Sequence, residues 1–250
     1  MVSTNAKLTE FVTRMKEIAA SNLESIILYG SAARGDFRPD HSDLNLLCVL
    51  GSLTIEELGR VAPVVKWWRI EQKEPVPLFF TAEELHMAAD VFSIEILDIK
   101  ASRRVLYGAD IVANIAVPMN LHRVQVEHDL RVTVLKLRAH YFRAPGNAEE
   151  LVPALRKSFS GVLVLLRHTL IAFGEAPPPE ARSVIARVAA LTSSDGTAFN
   201  ATLDLHESGE LRGEIAVLYG AYLKALEEVV RALDRHMPKR KWRRVEEANS

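Results

Sequence analysis

With 250 residues, 48% apolar and 25% charged, the chain has the make-up of a folded globular protein with room for one large domain or two modest ones. That composition excludes a mainly disordered, collagenous or low-complexity chain, and a net charge of −1 excludes a global pull toward nucleic acid or an anionic membrane. The single cysteine, Cys48, excludes an internal disulfide and a cysteine-built zinc site.

In chain order, Leu8, Phe11, Val12, Met15, Ile18 and Ala19 fall at helical spacing across Thr4 to Ala20. Ser25 to Tyr29 reads as a short buried strand. Leu44 to Leu50 reads as another, and its nearly continuous apolar run implies cover on both faces. Ile55 to Arg69 is helical in pattern. Pro75 to Phe80 reads as a strand entered through two prolines, hence at an edge or irregular. A short helix at Glu83 to Ala89 and a strand at Ser93 to Ile99 follow.

After about Ile115 the character changes. Leu121 to Phe142 reads as one long helix, ended by Pro145-Gly146. Asn147 then caps a further helix, with Glu150 completing a capping box. This helix runs toward Phe173 with Gly174 just past its end, and Pro153 predicts a kink or a later start. Two more helices are expected near Pro179 to Leu191 and Glu210 to His236, with Thr192 to Ser208 undecided. The expected fold class is α+β: a small mixed-sheet α/β domain at 1–115, an all-helical bundle domain at 116–237 and a basic tail at 238–250. The first residues do not read as a signal peptide. The most apolar stretch, Ser158 to Phe173, is short for a bilayer span and carries Arg167 and His168, so a cytoplasmic protein without membrane association is expected.

The chemistry concentrates after the first strand. In Tyr29-Gly30-Ser31-Ala32-Ala33-Arg34-Gly35-Asp36, glycine permits a tight bend and close approach of a ligand. Such a strand-end turn either points backbone N–H groups at a phosphate or simply leads into a helix. Twelve residues after Ser31, Asp43 and Asn45 stand two apart at the start of the next strand, roughly 6.6 Å from each other and on one face. Two oxygen-bearing side chains beside a phosphate-type turn suit a divalent cation held against a triphosphate.

These residues, together with Ser42-Asp43-Leu44-Asn45-Leu46-Leu47, resemble the nucleotidyltransferase superfamily of the DNA polymerase β type, closest to its aminoglycoside and minimal nucleotidyltransferase branches. The strong match spans Tyr29 to Leu50, and the order of elements is similar over about residues 1 to 115. The resemblance implies a nucleotidyltransferase-like first domain with a helical half that closes over the substrate. It implies that Gly30 and Ser31 bind a nucleoside triphosphate and that Asp43 holds Mg²⁺ or Mn²⁺, with Asn45 where the family has its second carboxylate. A nucleoside monophosphate would pass to a hydroxyl of a small-molecule or protein acceptor. In the aminoglycoside branch a carboxylate of the helical half is the general base, which points to Glu127.

The chain departs from the family in its acids. Asparagine is a poorer magnesium partner than a carboxylate. The third carboxylate belongs on the strand after Trp67-Trp68, yet that strand contains no acid. Glu74 precedes it and Glu83-Glu84 follow it, while Glu95 and Asp98 on the next strand candidate are the candidate substitutes. A weak transferase, a one-metal variant and a nucleotide-binding module without turnover all stay open.

Among other residues, Arg34 and Arg38 suit phosphate neutralisation or a solvated loop, Asp36 a turn cap, and His41, two residues from Asp43, either a metal ligand or a loop position without chemistry. Cys48 alternates to the core side with Leu44 and Leu46, and Trp67-Trp68 are expected to pack. The Arg-x4-His spacing of Arg123 to His128 and of Arg231 to His236 resembles the ribonuclease motif of HEPN helical domains. Lys239 to Arg244 is a basic tail with one aromatic, read as a solvated terminus. The expected partners are a nucleotide and an acceptor; nucleic acid is not expected, and a homodimer is left open.

Overall fold

The computed structural model describes residues 4–34 and 43–236, without the side chains of Ser31 and Arg34. Asp36, Arg38, His41 and the tail at 238–250 lie outside the described residues. The chain divides into two compact units, Met1–Pro118 and Met119–Ser250.

The first unit runs α1 (Thr4–Ala19), β1 (Leu23–Tyr29), the one-turn α2 (Ser31–Arg34), β2 (Asn45–Leu50), α3 (Ile55–Ile70), β3 (Leu78–Phe80), α4 (Ala82–Met87), α5 (Ser93–Ala101) and β4 (Arg103–Gly108). The four strands form a mixed sheet in the order β3-β2-β1-β4, with β1 antiparallel to β2 and β4, and β2 parallel to β3. The period of two along β1 and β2 sends Ile26, Leu28, Leu46 and Cys48 to one face, where they pack with Leu8, Phe11 and Met15 of α1 and Val61, Val64 and Trp68 of α3. Ile27, Leu47 and Val49 go to the other face, against Leu85, Ala89, Ile96 and Ile99. Cover on both sides is why β2 carries a continuous apolar run.

Cys48 is fully buried, and burial pushes its thiol above the ordinary range. Trp68 is fully buried with its ring 4.8 Å from that of Phe11, while Trp67 lies under the Arg14 guanidinium at 4.1 Å. Both tryptophans therefore pack, as expected.

Two expectations are corrected here, and one strand is added. Residues 93–99 are helical, within α5, because Ser93, Ile94, Ile96 and Ile99 are all buried when wound against the sheet. The proline-led strand contracts to three residues at the sheet edge, since neither Pro75 nor Pro77 can donate to a ladder. β4, which no pattern announced, completes the other edge.

The second unit consists of α6 (Met119–Arg143), α7 (Ala148–Ala172), α8 (Ala181–Thr192), α9 (Gly196–Ser208) and α10 (Ile215–Arg235). Asn147 caps α7 by accepting the Glu149 N–H at 3.0 Å; the bond expected from a Glu150 capping box is replaced by this nearer one. Pro153 sits inside α7, and the undecided stretch 192–208 contains α9. Leu130, Leu155, Phe159, Leu166, Phe199, Tyr222 and Leu226 are all buried, each projecting from the inner stripe of its helix.

The Tyr219 hydroxyl of α10 donates to the Leu137 carbonyl of α6 at 2.7 Å, and burial pushes the phenol up to about 12. Tyr219→Phe deletes this bond while keeping the ring. It is expected to lower the unfolding free energy by about 1 kcal/mol in equilibrium denaturation.

Candidate functional site

The site expected from sequence lies at one end of β1 and β2. Tyr29, the last residue of β1, pairs with Asn45, the first of β2. Carried one step further, that antiparallel register sets Gly30 level with Leu44. Gly30 has φ +79°, and a Cβ built on it would meet the Asn45 side-chain amide at 3.5 Å. Glycine is required by the backbone at this point, where it brings the turn against the second strand.

The Gly30 N–H is not available to a ligand, because it donates to the Ser102 carbonyl at 3.0 Å. Its carbonyl accepts from Ala33 at 3.1 Å and closes the α2 turn. The donors that this turn can offer an anion are therefore the N–H groups of Ser31 and Ala32, which open α2 and have no acceptor within it.

Asp43 is exposed and lies just ahead of β2, not within it. This corrects the expectation that it begins the strand; the ladder with β1 starts at Asn45. Asn45 is half-buried and lies on the sheet face shared with Leu47 and Val49. Arg34 ends α2.

The residues around the site explain the missing acids. The parallel ladder of β2 with β3 begins at Leu47 and Leu78, so no residue of 75–77 is laddered to Asn45. Val76 is 53% exposed and offers no ligand. Glu95 and Asp98 stand one turn apart on α5, on the exposed side of that helix. Their charge reaches Tyr29, whose phenol is held above its ordinary value by burial first, then by Glu95 and Asp98. Glu83 and Glu84 open α4, where the Glu84 carboxylate accepts the Thr81 N–H at 2.9 Å in a capping box.

Glu74 precedes β3 in the chain. It is a buried carboxylate bonded to Leu44 and Lys7. No spacing rule could have found it, because its partners lie 30 and 67 residues away.

Glu127 belongs to the second unit, on α6. Its Oε2 accepts from Arg123 and its Oε1 from Arg131, both at 2.8 Å. Arg123 also donates to the Leu233 carbonyl at 2.8 Å, so it ties α6 to α10. His128 is exposed beside Asp129 at 2.9 Å, and His236 stacks on Phe173 with ring centroids 4.3 Å apart. The two Arg-x4-His pairs thus engage different partners within the unit.

Among the described residues no group of three or more His, Cys, Asp and Glu side chains gathers to hold a metal ion. Magnesium on a nucleotide needs one or two carboxylates, with phosphates and water completing its shell. Asp43 with Asn45 fits one phosphate-borne cation and does not fit two. Among the described residues, too, no helix is long and apolar enough to cross a membrane.

No family profile matches the chain, and no curated protein matches it by sequence. Its fold is similar to the crystal structure of spectinomycin adenyltransferase AAD(9) from Enterococcus faecialis with ATP and spectinomycin. The TM-score is 0.57 at 15% identity, over 91% of this chain and 99% of that one. The chain therefore has a nucleotidyltransferase-like fold, in which the small mixed sheet is followed by helices.

Proposed function

We propose that the first unit binds a nucleoside triphosphate across the Gly30–Ser31 turn and transfers its nucleoside monophosphate to a hydroxyl acceptor. One observation carries the reading. A positive-φ glycine and the Asn45 amide meet at the ends of two adjacent strands, in a fold shared with an enzyme solved with ATP. In this reading the Ser31 and Ala32 N–H groups take phosphate oxygens, and Arg34 adds positive charge. Asp43 holds one Mg²⁺ or Mn²⁺ with Asn45 as a neutral second ligand. Bound there, the cation would offset charge on the phosphates. Glu127, the base that the resemblance implies, is held by Arg123 and Arg131 within the second unit and would take a proton only after releasing one of them. The acceptor is a small molecule or a protein, as it is a small molecule, spectinomycin, in the structural neighbour.

Incubation with α-labelled nucleoside triphosphates, Mn²⁺ and a panel of polyhydroxylated small molecules tests the reading directly. Label transferred to an acceptor supports it, and no nucleotide binding in calorimetry removes it.

A second reading, nucleotide binding without turnover, is favoured by Asn45 in place of a carboxylate and by the absence of an acid from β3. Asn45→Asp separates the two. For a transferase, the restored charge is expected to raise metal-dependent label transfer by about tenfold or more. For a binding module, the same variant tightens Mn²⁺ binding and yields no product.

A further inference from the structure

We infer that Glu74 is a positioning residue for Asp43 and acts through the backbone of Leu44; this rests on the nucleotide-site reading above. The Glu74 carboxylate is 9% exposed. Its Oε2 accepts the Leu44 N–H at 3.0 Å, and its Oε1 accepts from the Lys7 ammonium at 2.8 Å. Lys7 also donates to the Gln72 carbonyl at 3.0 Å, and the Glu74 N–H donates to the Trp68 carbonyl at 3.3 Å. Both ends of Glu74 are thereby fixed to α1 and the end of α3.

Leu44 stands between the two side chains proposed to hold the cation, and its own side chain is 1% exposed in the core. Its N–H belongs to the rigid peptide plane that includes the Asp43 Cα. Holding that plane fixes where the Asp43 side chain departs. Asp43 needs such help because it lies ahead of β2, beyond the ladder with β1. Neither can β3 extend its ladder backward with donors, since Pro75 and Pro77 have no N–H. The carboxylate of Glu74 takes the place of a strand neighbour, and its pairing with Lys7 makes the bond charge-assisted.

The test uses the full chain, Mn²⁺ as probe and a non-hydrolysable adenosine triphosphate analogue, with Mn²⁺ affinity read by electron paramagnetic resonance. Glu74→Ala is expected to weaken Mn²⁺ binding in the presence of nucleotide by about tenfold and to change metal-free nucleotide binding by less than about twofold. Glu74→Gln, whose amide oxygen still accepts from Leu44, is expected to restore most of the loss. Glu74→Asp keeps the charge but is one methylene too short to reach Leu44, so it is expected to behave like Glu74→Ala and serves if the alanine variant does not fold.

Asn22→Ala is the control for stability alone. Asn22 bonds Ser52 and Glu57 at the far end of the same strand pair, with distances of 2.9 to 3.1 Å. Its loss should lower the melting temperature and leave Mn²⁺ affinity unchanged. If Asn22→Ala and the Glu74 variants weaken Mn²⁺ binding alike, or if Glu74→Asp leaves it unchanged, the positioning assignment is overturned. If the unmodified chain takes up no Mn²⁺ with nucleotide, the nucleotide-site reading itself falls, and the assignment with it.

Discussion

Alanine at position 108 is expected to destabilise the first unit by about 4 kcal/mol or more, a large share of the roughly 5–15 kcal/mol that keeps a typical domain folded. Gly108 ends β4 opposite Ser25, with φ +71°. A Cβ there would lie 1.9 Å from the Glu24 carbonyl oxygen, 2.9 Å from its carbon and 3.2 Å from the Ser25 Cα. All three atoms are backbone of β1, which is laddered on both sides and cannot retreat without breaking pairs with β2. The Ser25 hydroxyl further stitches the junction by donating to the carbonyls of Tyr107 at 3.2 Å and Ala109 at 2.7 Å. Positive φ adds about 1 kcal/mol for any residue with a side chain. Urea unfolding followed by tryptophan fluorescence, to which the core Trp67 and Trp68 respond, measures the loss. A variant of ordinary stability would mean that β4 does not close on β1 as described. The functional site would share the damage, because the residue before β4, Ser102, accepts the Gly30 N–H.

Asp43→Ala is the largest expected effect on activity. Asp43 is the one carboxylate among the described residues of the turn and strand ends that form the proposed site. A unit charge pair at about 4 Å contributes about 4 kcal/mol at an effective dielectric of 20. Where that attraction operates on the transition state, its loss lowers the rate on the order of a thousandfold. Stability should hardly change, within about 0.5 kcal/mol, since Asp43 is exposed and lies outside β2. Label transfer measured beside urea unfolding separates the two effects. Metal-dependent transfer that survives Asp43→Ala would remove this residue from the site.

Much of the fold was legible because its signals are local. The continuous apolar runs marked β1 and β2, and alternation placed Cys48 beside Leu46 in the core. Helical spacing marked α1, α3, α6 and α7, and glycine followed the end of α7 as expected. Residues 93–99 read as a strand because Ile94, Ile96 and Ile99 suit a strand as well as a helix, and only packing against the second sheet face chose the helix. β4 was illegible for a related reason: Arg103 and Arg104 open it, it is partly exposed at the sheet edge, and its partner β1 lies about eighty residues earlier.

The candidate site divides in the same way. Sequence by itself determined that the chain bends at Gly30, that Asp43 and Asn45 stand two apart near the next strand, and that the acids of a two-metal centre are absent from 75–80. Those are properties of neighbours in the chain, governed by glycine's backbone freedom and by the period of two. Tertiary structure alone decided that the Gly30 N–H is spent on Ser102, that β3 meets β2 only from Leu78 onward, and that the peptide after Asp43 hangs from Glu74. Each of these joins residues that only the strand order β3-β2-β1-β4 or the packing of α1 and α3 brings together. A hydrogen bond is set by distance and angle in space, and separation along the chain carries no trace of it.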